Sequence, residues 1–512
     1  MSKFNRRDFL KLAGLLPFGL TAPKLGKSFG LQSGKKNVIV VVFDAFSAYN
    51  ISLYGYGRET TPNIARLAER ATVYHNHYAS SSYTTSGTAS LLTGTYPWTH
   101  RALKPNSMVV DDYADRSIFS VFKDHYSIAY SHNEWVNTLF DQFKEHIDEY
   151  IPREQLTLFS SDRLVQKTFP NDRDIASVGW IRNVKRQEEG YAYSLFLSEL
   201  ITSLEERYSA QFRSQFPRGL PTARADGGFL LEHAIDWIVD RIQSAADPVL
   251  GYFHFLPPHD PYRTRSEFFG NFRNDGFKVE DKPLDIFAKY KDSDMQVLRQ
   301  YYDEFILYVD REFGRMFDLL ESLGQLENTI VVLTSDHGEM FERGIAMHDS
   351  KALYQPLIRI PLLIFEPGVT TRTDVYESTS AVDLLPTLAH LSGLPVPEWT
   401  EGTLLPPYQQ ADTLADRSIC AVRSYDAEQM EPLSEASIVL VKGRYKLHYY
   451  FGYAEIDGKE LVKLFDVQDD PGEMTDLSQL QKDVAGEMLK ELKTKLKEAD
   501  SPYVTKNSAN GS

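Results

Sequence analysis

The sequence predicts a large α/β domain on a mainly parallel sheet, followed by a smaller C-terminal subdomain. Three observations carry that reading. First, Asn37–Phe43 (NVIVVVF) and Ile330–Leu333 are short apolar, β-branched runs, the pattern of strands buried on both faces. Second, both runs end abruptly in carboxylates, Asp44 after the first and Ser335-Asp336-His337-Gly338 after the second. Third, apolar residues recur at helical spacing over Phe229–Ala246 and Gln296–Leu323, whereas beyond residue 410 strand-like runs follow one another with short turns.

Composition narrows the function. At 512 residues the chain exceeds a single core but suits one large domain with an appendage. A net charge of −16 argues against a nucleic-acid partner. It leaves room for a small anionic substrate, because a bound dication inverts the local field. Cys420 is the sole cysteine, so an intrachain disulfide and a cysteine metal site are both excluded. It lies in the apolar run Ile419–Val422 and reads as core. Met1–Ala22 carries Arg6-Arg7 ahead of a short apolar run and resembles a bacterial twin-arginine export signal. That run is too short, and too broken by Pro17, to span a membrane, and no later run reaches the ~18 apolar residues a spanning helix needs. Residues 1–35 are therefore read as signal and linker, 36–410 as the main domain and 411–505 as the C-terminal subdomain. Export by the twin-arginine machinery to the periplasmic or extracellular side of the membrane is expected.

In a parallel α/β sheet, strand ends at one edge form the ligand crevice. If the two apolar strands are neighbours, Asp44 and Asp336 converge there. Two facing buried carboxylates call for a cation or a proton between them. Asp336 and His337 offer an oxygen and a nitrogen ligand, although an Asp cap and a core His would look the same locally. Pro62–Ala68 reads as a helix with proline in its first turn. In Ser80–Gly94, Ala89–Leu92 reads as a short helix stopped by Gly94, which places Thr84 just before or at its N-terminus. There it is either an ordinary cap or a nucleophile that a nearby dication turns into an alkoxide. Ser127–Tyr130 and Val249–Phe255 read as strands. His259, in Leu256-Pro257-Pro258-His259-Asp260-Pro261, is held by prolines and suits proton or hydrogen-bond donation. His254, within the strand, reads as structural. His348 lies eleven residues after His337, either at the site or on an exposed loop. Asp383 reads as a helix cap. Residues 140–225 lack clear periodicity and are taken as an insertion over the active-site edge. Ser418–Val422, Ala436–Val441, Tyr445–Tyr450 and Leu464–Val467 read as strands, with Lys482–Ala499 as a closing helix.

NVIVVVFDAFSAYNISLYGYGRETTPN, SSYTTSGTASLLTGTYP, HFLPPHDPY, TIVVLTSDHGE and LFDVQDDPGE, in that order over most of residues 37–475, resemble the signatures of the sulfatase branch of the alkaline phosphatase superfamily. The resemblance implies an α/β/α sandwich on a mixed, mainly parallel sheet, with a small C-terminal α+β subdomain carrying a short antiparallel sheet. It implies one divalent metal ion held by Asp44, Asp336 and His337 with Thr84, which stands at the nucleophile position. It implies that His259 and His348 contact the anionic ester. The departures point to the chemistry. Sulfatases oxidise a Cys or Ser in C/S-x-P/A-x-R to formylglycine; here the window is Thr84-Thr85-Ser86-Gly87-Thr88. The second Asp often found after the first strand is Ala45, and Asn133 stands where a substrate-clamping Lys is expected and is itself taken, with His259 and His348, as a substrate-binding residue. Asp, Thr, Asp, His is instead similar to the family's phosphoester members.

The expectation is thus a metal-dependent hydrolase of phosphodiesters or phosphonate monoesters that works through a phosphothreonine. Mn²⁺, Mg²⁺, Ca²⁺ and Zn²⁺ all suit the ligand set. The rivals are a sulfatase, a phosphoethanolamine- or phosphoglycerol-type transferase, and a non-catalytic metal-bound binding protein.

Overall fold

The computed structural model describes residues 35–158, 203–204, 206–222, 228–348, 350–409 and 417–509. Its main sheet is laid down by β1 (Asn37–Phe43), β2 (Thr72–Tyr78), β3 (Tyr126–Ser131), β4 (Glu149–Ile151), β5 (Val249–Phe255) and β6 (Thr329–Thr334). A hairpin of β7 (Phe341–Glu342) and β8 (Ile345–Ala346) precedes its last two strands, β9 (Leu362–Phe365) and β10 (Thr373–Ser380). The order across the eight-stranded sheet is β10-β2-β9-β6-β1-β5-β3-β4. The β1–β5, β1–β6, β3–β5, β3–β4 and β2–β10 pairs are parallel, and β9 runs antiparallel to β6 and β2.

β1 is central and buried at every position. Its side chains alternate between two cores: Ile39, Val41 and Phe43 face one, Val38, Val40 and Val42 the other. Helices α1 (Pro62–Ala68), α4 (Leu231–Ser244) and α5 (Asp292–Ser322) close the first core. Helices α2 (Thr84–Thr93), α3 (Glu134–Phe143) and α6 (Leu384–Leu391) close the second. The result is the expected three-layer sandwich. Near the middle of the first layer, Asp310 on α5 accepts from the backbone N–H groups of Asn63 (2.9 Å) and Ile64 (2.7 Å), so one helix caps the N-terminus of another.

The second sheet is antiparallel and in sequence order: β11 (Ser418–Arg423), β12 (Ala436–Lys442), β13 (Tyr445–Phe451) and β14 (Glu460–Asp466). Helix α7 (Lys482–Ala509) covers one face, with Met488 and Leu492 packed among Cys420, Leu440 and Leu464. The other face packs against the main domain through Ile419, Val439 and Tyr450 on Met340, Leu353 and Leu357. A buried ionic cluster ties this contact. Glu473 pairs with Lys446 at 2.8 Å and His448 at 2.9 Å, and accepts from the Gln355 backbone N–H at 2.7 Å.

Strands β1, β3, β5 and β6 and helices α1, α4 and α5 match the sequence reading closely. Residues 149–151, inside the expected insertion, instead form the edge strand β4. Residues 159–202 of that insertion and the twin-arginine segment lie outside the described residues. Among the described residues no helix is long and apolar enough to cross a membrane.

Candidate active site and metal centre

The site forms where β1 and β6 end together. Val42 pairs with Thr334, so Asp44 and Asp336 leave the sheet side by side. Ser335 laces the two exits: its Oγ donates to Phe43 O at 2.6 Å and accepts from the Phe46 N–H at 2.9 Å. Ala45 turns the chain at φ 58°, a left-handed conformation costly by about 1 kcal/mol for a residue with a Cβ. The turn is pinned by Tyr302, whose hydroxyl donates to Ala45 O at 2.6 Å and accepts from the Ser47 N–H at 2.9 Å.

One carboxylate oxygen from each Asp and a ring nitrogen of His337 lie within 4.8 Å of one another, and all three residues are fully buried. Asp44 Oδ1 and Asp336 Oδ2 have no hydrogen-bond partner among the described residues. Unpaired buried carboxylate oxygens fit a cation, and so does the donor set of two carboxylates and an imidazole. Burial opposes the charge on Asp44, yet His259, His254 and His337 hold it well below the usual carboxylate range. Burial and the adjoining Asp44 push Asp336 up. Burial disfavours charge on His337, but Asp336 and Asp44 raise it to about 9.

Thr84 is the first residue of α2, not merely near it, and its Oγ1 lies 3.4 Å from His337 Nε2. The helix start is pressed onto the β6 exit. A Cβ at Gly87 would come within 2.3 Å of Asp336 O, which explains a glycine three residues after the threonine. The hydroxyl therefore sits at the positive end of a helix and beside the carboxylate pair. Asn133 caps α3 through Oδ1, which accepts from the Trp135 N–H. Its amide donates to Asp44 Oδ2 at 2.6 Å and reaches Thr84 Oγ1 at 3.5 Å.

His259 and His348 stand with their ring centroids 4.6 Å apart, and His348 is the same distance from His337. His259 Nδ1 bonds Asp260 O at 2.7 Å, and His348 Nδ1 bonds Glu339 Oε1 at 3.0 Å. In both rings Nδ1 is the nitrogen engaged, which turns Nε2 toward a ligand's side of the ring. Burial works against the charge on His259, but Asp260 and Asp44 raise its pKa. Burial and the neighbouring His337 and His259 hold His348 well below the usual range. The pair thus offers one proton donor and one neutral ring. Thr84, Asn133, His259 and His348 line a cavity of about 330 Å³.

The structure brings together every residue singled out in the sequence: Asp44, Thr84, Asn133, His259, Asp336, His337 and His348. It adds others. Glu339, fully buried, holds His348 and accepts from Tyr262 OH at 3.1 Å; its position two residues after the DH pair was the available signal. Arg153 and Arg423 line the cavity from the loop after β4 and the end of β11. Only the tertiary fold carries Arg423 there. His254, read as structural, lies against both carboxylates.

A family model described as "Sulfatase" matches residues 36–394. The chain belongs to the sulfatase family. A second model, described as "N-sulphoglucosamine sulphohydrolase, C-terminal", matches residues 343–501. This sulfatase-family chain is 24% identical to the choline-sulfatase of Rhizobium meliloti (strain 1021) over 485 residues, 88% of this chain and 83% of that protein. Among solved structures, a 2-O GAG sulfatase superposes with a TM-score of 0.65 at 15% identity, covering 92% of this chain and 94% of that one. The phosphonate monoester hydrolase of Agrobacterium radiobacter gives 0.60 at 16% identity, covering 92% and 96%. At such identities the two structures establish the shared fold. The family match places the protein in the sulfatase-like branch of the alkaline phosphatase superfamily, a family of sulfate- and phosphate-ester hydrolases. It is a sulfatase-like hydrolase.

Proposed function

We propose that this hydrolase cleaves phosphodiesters or phosphonate monoesters through a covalent phosphothreonine at Thr84. The carrying observation is the unmodified threonine itself, buried at the first position of α2 and 3.4 Å from His337. Threonine carries a methyl on Cβ and gives no aldehyde by the sulfatase oxidation, so its ester must be released by attack at the central atom.

Asp44, Asp336 and His337, with the Thr84 hydroxyl, would hold one divalent ion. Bound there, it supplies positive charge that lowers the hydroxyl pKa and balances the ester oxygens. Thr84 Oγ, its proton released to water, attacks phosphorus in line. The bond from phosphorus to the leaving oxygen breaks, and protonated His259 gives that oxygen a proton. Neutral His348 and the Asn133 amide orient the nonbridging oxygens. Water then attacks phosphorus, Thr84 Oγ leaves and is reprotonated, and His259 recovers a proton from the attacking water.

The comparisons support a sulfuric ester hydrolase equally, since the relatives include a choline-sulfatase. An acceptor alcohol in place of water would make the enzyme a transferase. Matched aryl esters decide between phosphorus and sulfur. We expect kcat/KM for a phosphodiester or phosphonate monoester to exceed that for the sulfate by at least ~100-fold, about 2.7 kcal/mol of barrier. Thr84→Ala should abolish both activities. A sulfate preference, or an active Thr84→Ala enzyme, overturns the assignment. We also propose twin-arginine export, on the strength of Arg6-Arg7. Replacing both with Lys should retain the protein in the cytoplasm, and unchanged export of that variant would refute it.

A further inference from the structure

Arg423 ends β11 in the C-terminal sheet, yet its guanidinium lies beside the segment that leads into the nucleophile. It stands over the rings of Tyr83 and Tyr425, 5.3 and 5.2 Å from their centroids, and its Nη1 is 3.4 Å from Ser82 Oγ. Tyr83 immediately precedes Thr84. A guanidinium held by ring faces keeps its rigid fork of N–H groups in its own plane, the geometry that grips an oxyanion through two bonds. Thr84 and Arg423 line the same cavity of about 330 Å³, small for a ligand pocket, so a group carried by the attacked phosphorus passes close to that fork. The charge of the ester itself has other partners. The single negative charge of a diester is met by protonated His259 and by the dication that Asp44, Asp336 and His337 would hold. The carboxylates of Glu134 and Asp260, also on the cavity wall, stand by other cations, Glu134 at 3.7 Å from Arg153 and Asp260 at 3.1 Å from His259.

We propose that Arg423 selects esters whose organic group carries a second oxyanion, a carboxylate or a further phosphoryl group, close to the scissile bond. The inference deepens the proposed function and rests on Thr84 as the nucleophile. Arg423 is then a specificity residue. It binds the part of the substrate that differs from one ester to another, while the bonds at phosphorus are made and broken at Thr84 and His259. Attraction for an anion brings rejection of the opposite charge. A quaternary-ammonium group carried into the cavity would meet the like charge of Arg423.

The test uses the full chain supplied with Mn²⁺ and two aryl phosphodiesters, one bearing a carboxylate on the aryl ring and the other its isosteric carboxamide. The amide controls for size and for leaving-group acidity. The ratio of kcat/KM, carboxylate over carboxamide, should be at least ~10 in the native protein, the order that a charge-assisted hydrogen bond supplies. It should fall to about 1 in Arg423→Gln and lie between the two in Arg423→Lys, which conserves the charge and serves even if the Gln variant does not fold. A native ratio near 1 overturns the proposal. So does a ratio that persists in both variants while the two rates fall alike, because Arg423 would then act on the phosphoryl oxygens. The same pair made as sulfate esters separates this inference from the reading it rests on. A carboxylate preference among sulfates, with no turnover of the phosphorus esters, upholds Arg423 and overturns the phosphorus assignment. If neither series turns over, calorimetric binding of the matched arylphosphonates reads the same ratio.

Discussion

Asp336 uses its two oxygens differently. Oδ1 accepts from the His337 N–H at 2.9 Å and the Ala45 N–H at 3.3 Å, while Oδ2 faces His337 and His254 without a hydrogen bond among the described residues. Asp336→Asn can keep the first arrangement and turns the second oxygen into an amide that ligates nothing. The variant should stay soluble and folded while its divalent metal falls from near stoichiometric to trace, read by elemental analysis after dialysis. Full metal content would show that the centre lies elsewhere. At this scale the sequence was informative where chemistry and strand end coincide, as at Asp44 and at Asp336-His337. It was silent where a residue reaches the site across the sheet. His254 sits inside an apolar strand, and an interior histidine there looks like packing. Asn133, expected to bind substrate, ties Asp44 to the nucleophile position through one amide, a link no sequence spacing carries.

Among the elements, α5 carries more than its own face of the core. Over 31 residues, roughly 46 Å at the helical rise, it presents aromatics to the sheet and Asp310 to the start of α1. The carboxylate also receives the Asn63 side-chain amide at 2.8 Å. Asp310→Ala would leave buried donors at the head of α1 unpaired, a loss of about 2 kcal/mol. Denaturant unfolding should show the midpoint fall at constant slope, with Asp310→Asn losing less. An Ala variant as stable as the native protein would mean that water replaces the cap. The helix itself was legible from its apolar spacing, but its partner in capping was not, because the contact joins residues about 250 positions apart. β2 and β10 escaped the sequence reading for a different reason. THR-VAL-TYR-HIS-ASN-HIS-TYR, the run of β2, mixes apolar and polar residues without a clean period, and β10 lies at the sheet edge with Thr373, Asp374 and Tyr376 exposed.

Across the whole molecule, buried neutral histidines make stability depend on acidity. Burial lowers His77 and His100 to about 3, and burial together with Lys446 lowers His448 to about 4. Each folded-state value lies below the ordinary one near 6.5, so the unfolded chain binds the proton first. Their contribution is fully present above about pH 6.5 and is lost as pH falls toward 4, by about 1 kcal/mol per group per pH unit. The melting temperature should drop steeply between pH 6.5 and 4.5, and His77→Gln or His100→Gln should flatten that slope. A melting temperature indifferent to pH in this range would contradict the assignment. The division into main and C-terminal sheets was legible from the change of pattern after residue 410. The contact between them was not, since Glu473 gathers Lys446 and His448 of β13 together with the Gln355 backbone N–H of the main domain, residues far apart in the chain.

Arg423 closes the last strand step of β11 and reaches the cavity, its guanidinium over the rings of Tyr83 and Tyr425. One side of the cavity wall, Arg423 and Tyr425, is therefore hung on a different sheet from the strand ends that carry Asp44 and Asp336. Side chains on that side of the wall can change without disturbing the strand ends that hold Asp44 and Asp336.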